Sequence, residues 1–168
     1  MIERRLNHWV IRSIRQLANC ITHRTTASGQ RTSCLQSTIL LAGAAIWCAA
    51  IVAAPIFHLT FVYDFFSVIC HQDPARSWRV AGAPFAVCIR CSSIYFGFLA
   101  GLAAGLRPNA RILRIAVAVT AAEIIFALLV VDSAALRALS GLALGAAAAP
   151  FVRIGMGQIL PGAAHDSM

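Results

Sequence analysis

The sequence predicts an all-α membrane protein, a four-helix transmembrane bundle with both termini in the cytoplasm. Three observations lead to this fold class. The 168-residue chain is 60% hydrophobic and only 12% charged, it contains four long apolar stretches, and its arginines cluster beside some of those stretches and not others. So apolar a composition excludes a disordered chain and is not typical of a soluble domain.

Each of the four apolar stretches is long enough to cross a bilayer, which takes roughly 20 helical residues. They cover residues 38–59, 86–106, 112–131 and 134–156. The connection 60–85 contains Pro74, Gly82 and Pro84 and is predicted as a loop, whereas the third and fourth stretches are joined by a tight turn. Glycines recur at four-residue spacing in two of the stretches, which predicts close helix packing there; they are Gly97, Gly101, Gly105, Gly141 and Gly145.

The charge distribution predicts the orientation of the bundle. All 14 basic residues are arginine; six lie in residues 1–36 against one acid, and three lie in residues 107–114 with no acid. Because arginine is retained on the cytoplasmic side, we expect both termini there and the loop 60–85 on the extracytoplasmic side of the plasma membrane. This topology accounts for the formal charge of +8, so the expected partner is the lipid bilayer and not nucleic acid. The sequence identifies no protein partner.

Residues 1–36 form a basic leader with one apolar helical stripe, which predicts an amphipathic helix lying on the inner leaflet. An organelle transit peptide, or an extension from a wrongly chosen start codon, would give a similar pattern. A cleaved signal peptide is not expected, because its charged region is much shorter. The membrane domain is then 37–157, followed by a short tail, 158–168.

A cluster of polar residues in the loop and at the start of the second helix predicts a metal site. Cys88 and Cys91 are three residues apart and face the same side, so they can bind one ion or form a disulfide. Cys70 and His71 precede them by a separation that a folded loop can close. We therefore expect a transition metal, zinc first and iron or copper next, among these four residues. Adjacent side chains point apart, so either Cys70 or His71 is expected to lie outside the ligand set.

Several further polar residues are expected to support this site or bind a ligand: Gln72, Arg76, Ser77, Arg90, Tyr95, Asp132 and Arg137. Arg90 would offset the charge of the thiolates or hold an anion. Asp132 and Arg137 lie at the same membrane face, where they form a surface ion pair or turn inward so that Asp132 orients His71 or Arg90. Glu123, in the middle of the third helix, is expected to be protonated or paired.

The segments from Cys70 to Trp78 and from Pro84 to Gly97 resemble a family of small bacterial and archaeal multi-pass membrane proteins that share a domain of unknown function. The family pattern is Cys-His-Gln, Pro, Arg-Ser and an aromatic residue, followed by Cys-x-Arg-Cys, Ile-Tyr and Gly. The matching positions here are Cys70, His71, Gln72, Pro74, Arg76, Ser77, Trp78, Cys88, Arg90, Cys91, Ile94, Tyr95 and Gly97. Further on, the family has an Asp and the pattern Arg-x-x-Thr/Ser-Gly, which resemble Asp132 and Arg137 with Ser140 and Gly141. The resemblance implies that the cysteine, histidine and arginine residues act together.

Three functions are compatible with this sequence, and the residues do not decide whether the protein is an enzyme. The first is a membrane protein with a Cys/His transition-metal site. The second is a quinone-linked thiol oxidoreductase that uses the Cys88/Cys91 pair, with Arg90 lowering the thiol pKa. The third is a non-catalytic scaffold that docks a partner through its glycine-rich helix faces.

Overall fold

The computed structural model describes residues 28–129 and 133–159 of the chain. These residues are mostly helical, as predicted. Five α-helices, one 3-10 turn and one short β-hairpin are described, in this order: α1 (Ser28–Phe57), α2 (Thr60–Ser67), the 3-10 turn (Pro74–Arg76), β1 (Arg79–Val80), β2 (Ala83–Pro84), α3 (Ile89–Ala103), α4 (Ala110–Leu129) and α5 (Ala134–Ile159). The predicted surface helix falls almost wholly in residues 1–27, which lie outside the described part, as does most of the predicted tail.

Three of the helices are long and apolar enough to cross a membrane: Leu35–Phe57 in α1, Ala110–Leu129 in α4, and Ala134–Gly157 in α5. The predicted span 86–106 contains a shorter helix, because α3 has 15 residues. At 1.5 Å per residue α3 is about 22 Å long, less than the thickness of a hydrocarbon core. The prediction of four full-length spans is thus supported for three helices.

The backbone at both ends of α3 explains its length. Cys88 precedes the helix with extended backbone angles (φ −65°, ψ 164°), so the helical hydrogen bonds begin only at the next residue. At the other end Gly105 has a φ of +58°, and the amide of Leu106 donates to the carbonyl of Gly101. A left-handed glycine with this backward hydrogen bond is a common way to end a helix.

Local signals also mark the start of α4 and the end of α1. The side chain of Asn109 accepts hydrogen bonds from the amides of Arg111 and Ile112, which caps the amino terminus of α4. His58 follows α1 with a φ of +52°, and the amide of Leu59 donates to the carbonyl of Ala54.

The predicted starts of two spans are later than the observed helix starts. The third span was predicted from residue 112, two residues after α4 begins, and the first span from residue 38, ten residues after α1 begins.

The connection 60–85 is more ordered than the predicted loop. It contains α2, the 3-10 turn and a hairpin in which Arg79 pairs with Pro84 and Val80 with Ala83. The two residues of the hairpin loop, Ala81 and Gly82, both have positive φ, as a type I′ turn requires. The prediction of a loop failed for α2 because a helix of eight residues is too short for the length rule that identifies spans.

Residues 41–152 form one compact unit, and residues 28–40 with 153–159 belong to a second. The core of the first unit joins α1, α2 and the segment before α3; it contains Ile51, Ala54, Val62, Phe66, Cys70, Phe85, Ala86 and Val87. Trp47 packs edge-on against Phe65, Phe66 and Tyr95. Helices α3 and α5 pack backbone against backbone at their glycines. A Cβ on Gly97 would collide with the carbonyl of Leu142, and a Cβ on Gly145 would collide with the carbonyl of Ile94.

Candidate metal centre

Three of the four predicted metal ligands meet in the structure. The sulfur atoms of Cys70, Cys88 and Cys91 all lie within 4.8 Å of one another. Cys70 is 7% exposed, and the other two side chains are half-buried. None of the three forms a disulfide. The cluster therefore consists of three free thiols enclosed by protein on most sides.

Backbone hydrogen bonds hold each thiol in place. The amide of Cys70 donates to the carbonyl of Phe66, 2.8 Å away, so this cysteine continues the last turn of α2. The amide of Cys88 donates to the sulfur of Cys70 at 3.3 Å. Cys91 lies in the first turn of α3, where helical geometry brings its side chain beside the residue three positions earlier. Two sequence-distant segments thereby present their sulfurs to one point.

The hydrogen bonds around Cys88 favour its ionised form. A hydrogen bond from the Cys91 thiol, with smaller contributions from the backbone amides of Cys91 and Arg90 and from the Cys70 thiol, lowers the pKa of Cys88 to about 5, although burial acts in the opposite direction. Amides at a helix amino terminus stabilise a negative charge in the same way in other proteins. These contacts favour the thiolate of Cys88, which is the form that binds metals and attacks electrophiles.

The spacing of the sulfurs suits a tetrahedral ion. Zinc–sulfur bonds of about 2.3 Å place two sulfurs of one tetrahedral site about 3.8 Å apart. Distances of up to 4.8 Å contract to this value through small rotations of the three side chains. Because thiolates are soft donors, they favour zinc, copper(I) or iron over magnesium or calcium. Three sulfurs leave one position of a tetrahedral ion to another ligand.

His71, the fourth predicted ligand, lies apart from this cluster. Its side chain is exposed, and it is not among the residues whose donor atoms gather within 4.8 Å. The physical reason is the geometry of neighbours: Cys70 turns inward at the end of α2, and the next side chain points away. Of the two alternatives that the sequence left open, the structure brings Cys70 to the other thiols.

The predicted supporting residues divide into two groups. Four of them stabilise the segment around the thiols. Gln72 donates to the carbonyl of Tyr63, and Tyr95 packs against Trp47. Asp73 joins the other two, because its carbonyl accepts from Ser77 and its carboxylate pairs with Arg76 at 3.4 Å. Arg90 and Arg137 instead point to Glu123. The first group holds the loop that carries Cys70, whereas the second forms a separate cluster of charges.

Arg90 does not direct its charge to the thiols, which corrects the predicted role of this residue. Its guanidinium donates to Glu123 at 2.6 Å, and the hydroxyl of Ser140 donates to the same carboxylate oxygen at 3.5 Å. The other oxygen of Glu123 lies 4.0 Å from Nε of Arg137. Glu123 and Arg137 are both buried, with side chains less than a tenth exposed. The expectation that Glu123 is paired agrees with this arrangement, and Arg90 contributes to Cys88 only through its backbone amide.

The predicted roles of Asp132 fall outside the described residues. The sequence pattern did not identify Glu123 as the acid that Arg90 and Arg137 share. One signal could have identified it. Glu123 is an acid within a spanning helix, six residues before α4 ends, and Arg90 and Arg137 lie in the first turns of α3 and α5. The predicted topology brings the end of α4 and the starts of α3 and α5 to the same side of the membrane. A charge that cannot reach water is expected to have a partner at its own depth.

Comparison with known proteins agrees with the resemblance predicted from the sequence. Residues 70–151 match the model of a family described as "Predicted membrane protein (DUF2085)". A stretch of 41 residues is 49% identical to an uncharacterized protein of the archaeon Methanocaldococcus jannaschii, which is 24% of this chain and 26% of that protein. The chain thus spans about a quarter of the length of this relative. No solved structure matches the chain.

Proposed function

We propose that this membrane protein binds a transition-metal ion through the thiolates of Cys70, Cys88 and Cys91. The observation that carries the proposal is the convergence of three free sulfurs from two distant segments within 4.8 Å. Packing alone would need no such convergence, because a buried cysteine serves as a small apolar residue without a second sulfur nearby. Zinc is the first candidate, since it accepts three thiolates and a fourth ligand of another kind.

The charge of the centre supports a divalent or monovalent soft cation. Three thiolates carry three negative charges, and the nearest arginine directs its guanidinium to Glu123. A bound cation would offset this negative charge. Metal binding in this centre releases protons, so its affinity falls as the pH is lowered.

Metal analysis of the purified protein tests this proposal. The protein, extracted in detergent without chelators, should contain close to one equivalent of zinc, copper or iron per chain. Cys70→Ser, Cys88→Ser and Cys91→Ser should each lower that content strongly, and cobalt(II) added to the metal-free protein should show thiolate charge-transfer absorption. Cys48→Ser is the matched control, because Cys48 is a buried cysteine of α1 outside the cluster. Unchanged metal content in the three variants would refute the proposal.

The lowered pKa of Cys88 favours a second candidate, a thiol oxidoreductase. A thiolate next to a second thiol is the arrangement from which a C-x-x-C pair attacks a disulfide. In that case Cys88 and Cys91 are oxidised to a disulfide, and their two electrons, with one proton from the Cys91 thiol and one from water, reduce an acceptor such as a lipid quinone to the quinol. Acid quenching and alkylation in intact cells separate the candidates: a metal centre predicts that both thiols stay reduced, and an oxidoreductase predicts a fraction with the 88–91 disulfide.

We also propose that the helices form a four-helix bundle with both termini in the cytoplasm and the thiols at the extracytoplasmic side of the plasma membrane. Six arginines before residue 37 and three between residues 107 and 114 support this orientation. Reporter fusions test it. A fluorescent protein fused after residue 168 should fold in the cytoplasm and fluoresce, and alkaline phosphatase at the same site should be inactive. The opposite pair of results would reverse the orientation.

A further inference from the structure

Helix α2 has three different faces. Val62 and Phe66 are buried in the core of the protein. A second stripe is polar and exposed and contains Thr60, Asp64 and Ser67. The third stripe is apolar and exposed: Phe61, Phe65 and the C-cap residue Val68 have 68%, 54% and 87% of their surface uncovered. A helix with one buried, one polar and one uncovered apolar stripe is suited to the boundary between lipid and water.

The packing of α2 shows that it returns alongside α1. Val62 belongs to the same core cluster as Ala54, and Phe66, one turn later, packs on Trp47, which lies seven residues earlier in α1 than Ala54. Trp47 is ten residues before the end of α1, so α2 descends to a level about 15 Å along α1 from its end. Cys70 follows three residues after α2 ends, and its amide donates to the carbonyl of Phe66.

Helices α4 and α5 give two independent estimates of the same depth. Arg90, next to the thiols, lies against Gly141, seven residues or about 10 Å after α5 begins. Arg90 also pairs with Glu123, six residues or about 9 Å before α4 ends. The short helix α3 therefore starts about 10 Å inward from the ends of its neighbours. With its own length of about 22 Å it completes a crossing of about 30 Å.

We propose that α2 is seated in the membrane, with the stripe of Phe61, Phe65 and Val68 covered by lipid acyl chains, and that the thiol cluster is recessed about 10 Å below the ends of the spanning helices. Lipid is the occupant because α2 packs along α1, a helix of spanning length, and reaches a level about 15 Å from the end of α1. Two hydrogen bonds join α2 to the segment that follows it: Tyr63 donates its hydroxyl to the carbonyl of Pro84, and Gln72 donates to the carbonyl of Tyr63. This inference holds with or without a bound metal.

Lipid photocrosslinking tests the proposal on the full-length protein. The photoreactive residue p-benzoylphenylalanine is placed at Phe61 or Phe65, and the protein is irradiated in vesicles of phosphatidylethanolamine and phosphatidylglycerol with labelled acyl chains. Both positions should form lipid adducts as efficiently as Ile125, an exposed residue of the spanning helix α4, and several-fold more than Asp64 on the polar stripe. Adduct yields as low as at Asp64, or crosslinks to a second protein chain, would overturn it.

Fluorescence quenching gives a second measurement that needs no photoprobe. Phe61→Trp is made in a protein whose three native tryptophans are changed to phenylalanine, and its emission is compared in vesicles with brominated acyl chains and in water containing acrylamide. We expect strong quenching by the lipid bromines and weak quenching by acrylamide. The reverse order would place α2 in water and overturn the proposal even if the crosslinking variants fail to fold.

Discussion

Among the individual residues, Cys88 has the most unusual chemistry. It ends an extended segment and begins a helix, so backbone amides and two thiols surround one sulfur. The same sulfur is a suitable metal ligand and a suitable nucleophile because both roles require the thiolate. Its reactivity is therefore a property of its local geometry and can be measured before the function of the centre is established.

The alkylation rate of Cys88 in the reduced, metal-free protein should depend on pH with a midpoint near 5. Because the thiolate forms as the pH rises through the pKa, the rate should already be maximal at pH 7 and should fall below pH 5. An ordinary thiol has a midpoint near about 8.5. Iodoacetamide labelling followed by peptide mass spectrometry gives the profile, and Cys88→Ser must remove the fast phase. A midpoint above 8 would contradict the prediction.

His58 is the second residue with a testable conformation. Its φ of +52° ends α1 in the left-handed region, which costs a residue with a Cβ about 1 kcal/mol. His58→Gly should therefore raise the free energy of unfolding by about 0.5–1 kcal/mol, because the relief of left-handed strain exceeds the entropic cost of glycine; this is measured as a higher thermal midpoint in detergent. His58→Ala keeps the Cβ and should give no gain. An equal gain in both variants would mean that the imidazole, and not the backbone, is unfavourable.

At the scale of elements, the contact between α3 and α5 depends on glycine. A Cβ at position 145 would overlap the carbonyl of Ile94, and backbone atoms cannot move aside without separating the helices. Gly145→Ala should lower the free energy of unfolding by at least about 2 kcal/mol. Gly155 is the matched control: it lies in the same helix with nothing near its Cβ position, so Gly155→Ala should be neutral or stabilising. Equal effects of the two substitutions on the thermal midpoint would contradict the proposed packing.

The hairpin before α3 has a suboptimal turn residue. A type I′ turn needs positive φ at both positions, and Ala81 supplies the first at φ +52° where asparagine is preferred. Ala81→Asn should stabilise the protein by about 0.5 kcal/mol, whereas Ala81→Val should destabilise it because branching at Cβ disfavours positive φ. Thermal unfolding of the two variants should shift in opposite directions. A common direction would mean that the turn adopts another geometry.

Long spanning helices could be predicted from the sequence more accurately than short helices and turns. Apolar stretches of 20 or more residues were located to within two residues for α4 and at the same start for α5, because hydrophobic length determines them. Helix α2 was missed because it is short, and α3 was overestimated because the turn at Cys88 interrupts an apolar run that continues from Phe85. The thiol cluster was largely anticipated, since C-x-x-C fixes two of its members. Whether Cys70 or His71 joins these two thiols depended on the direction of the chain after α2, which the sequence pattern does not determine.

Across the whole molecule, two clusters lie side by side at the start of α3. One is the thiol cluster, which contains Cys91, and the other is the charge cluster around Glu123, which contains Arg90. Cys91 and Arg90 are adjacent residues in the first turn of α3. The charge cluster connects α3, α4 and α5 and so determines where the turn that carries Cys88 and Cys91 sits. An ion pair of this kind, buried among apolar helices, is unfavourable to break because the remaining charge cannot reach water.

Glu123 should consequently be more important for stability than either arginine alone. Glu123→Gln leaves two guanidinium groups without the carboxylate and should lower the free energy of unfolding by about 3 kcal/mol or more. Arg90→Gln should cost less, because Arg137 still lies 4.0 Å from the carboxylate. Asp73→Asn removes an exposed ion pair with Arg76 and should have no measurable effect. Thermal unfolding of the three variants in one detergent should rank them in this order. A larger loss in Arg90→Gln than in Glu123→Gln would mean that the arginine acts chiefly on the thiols.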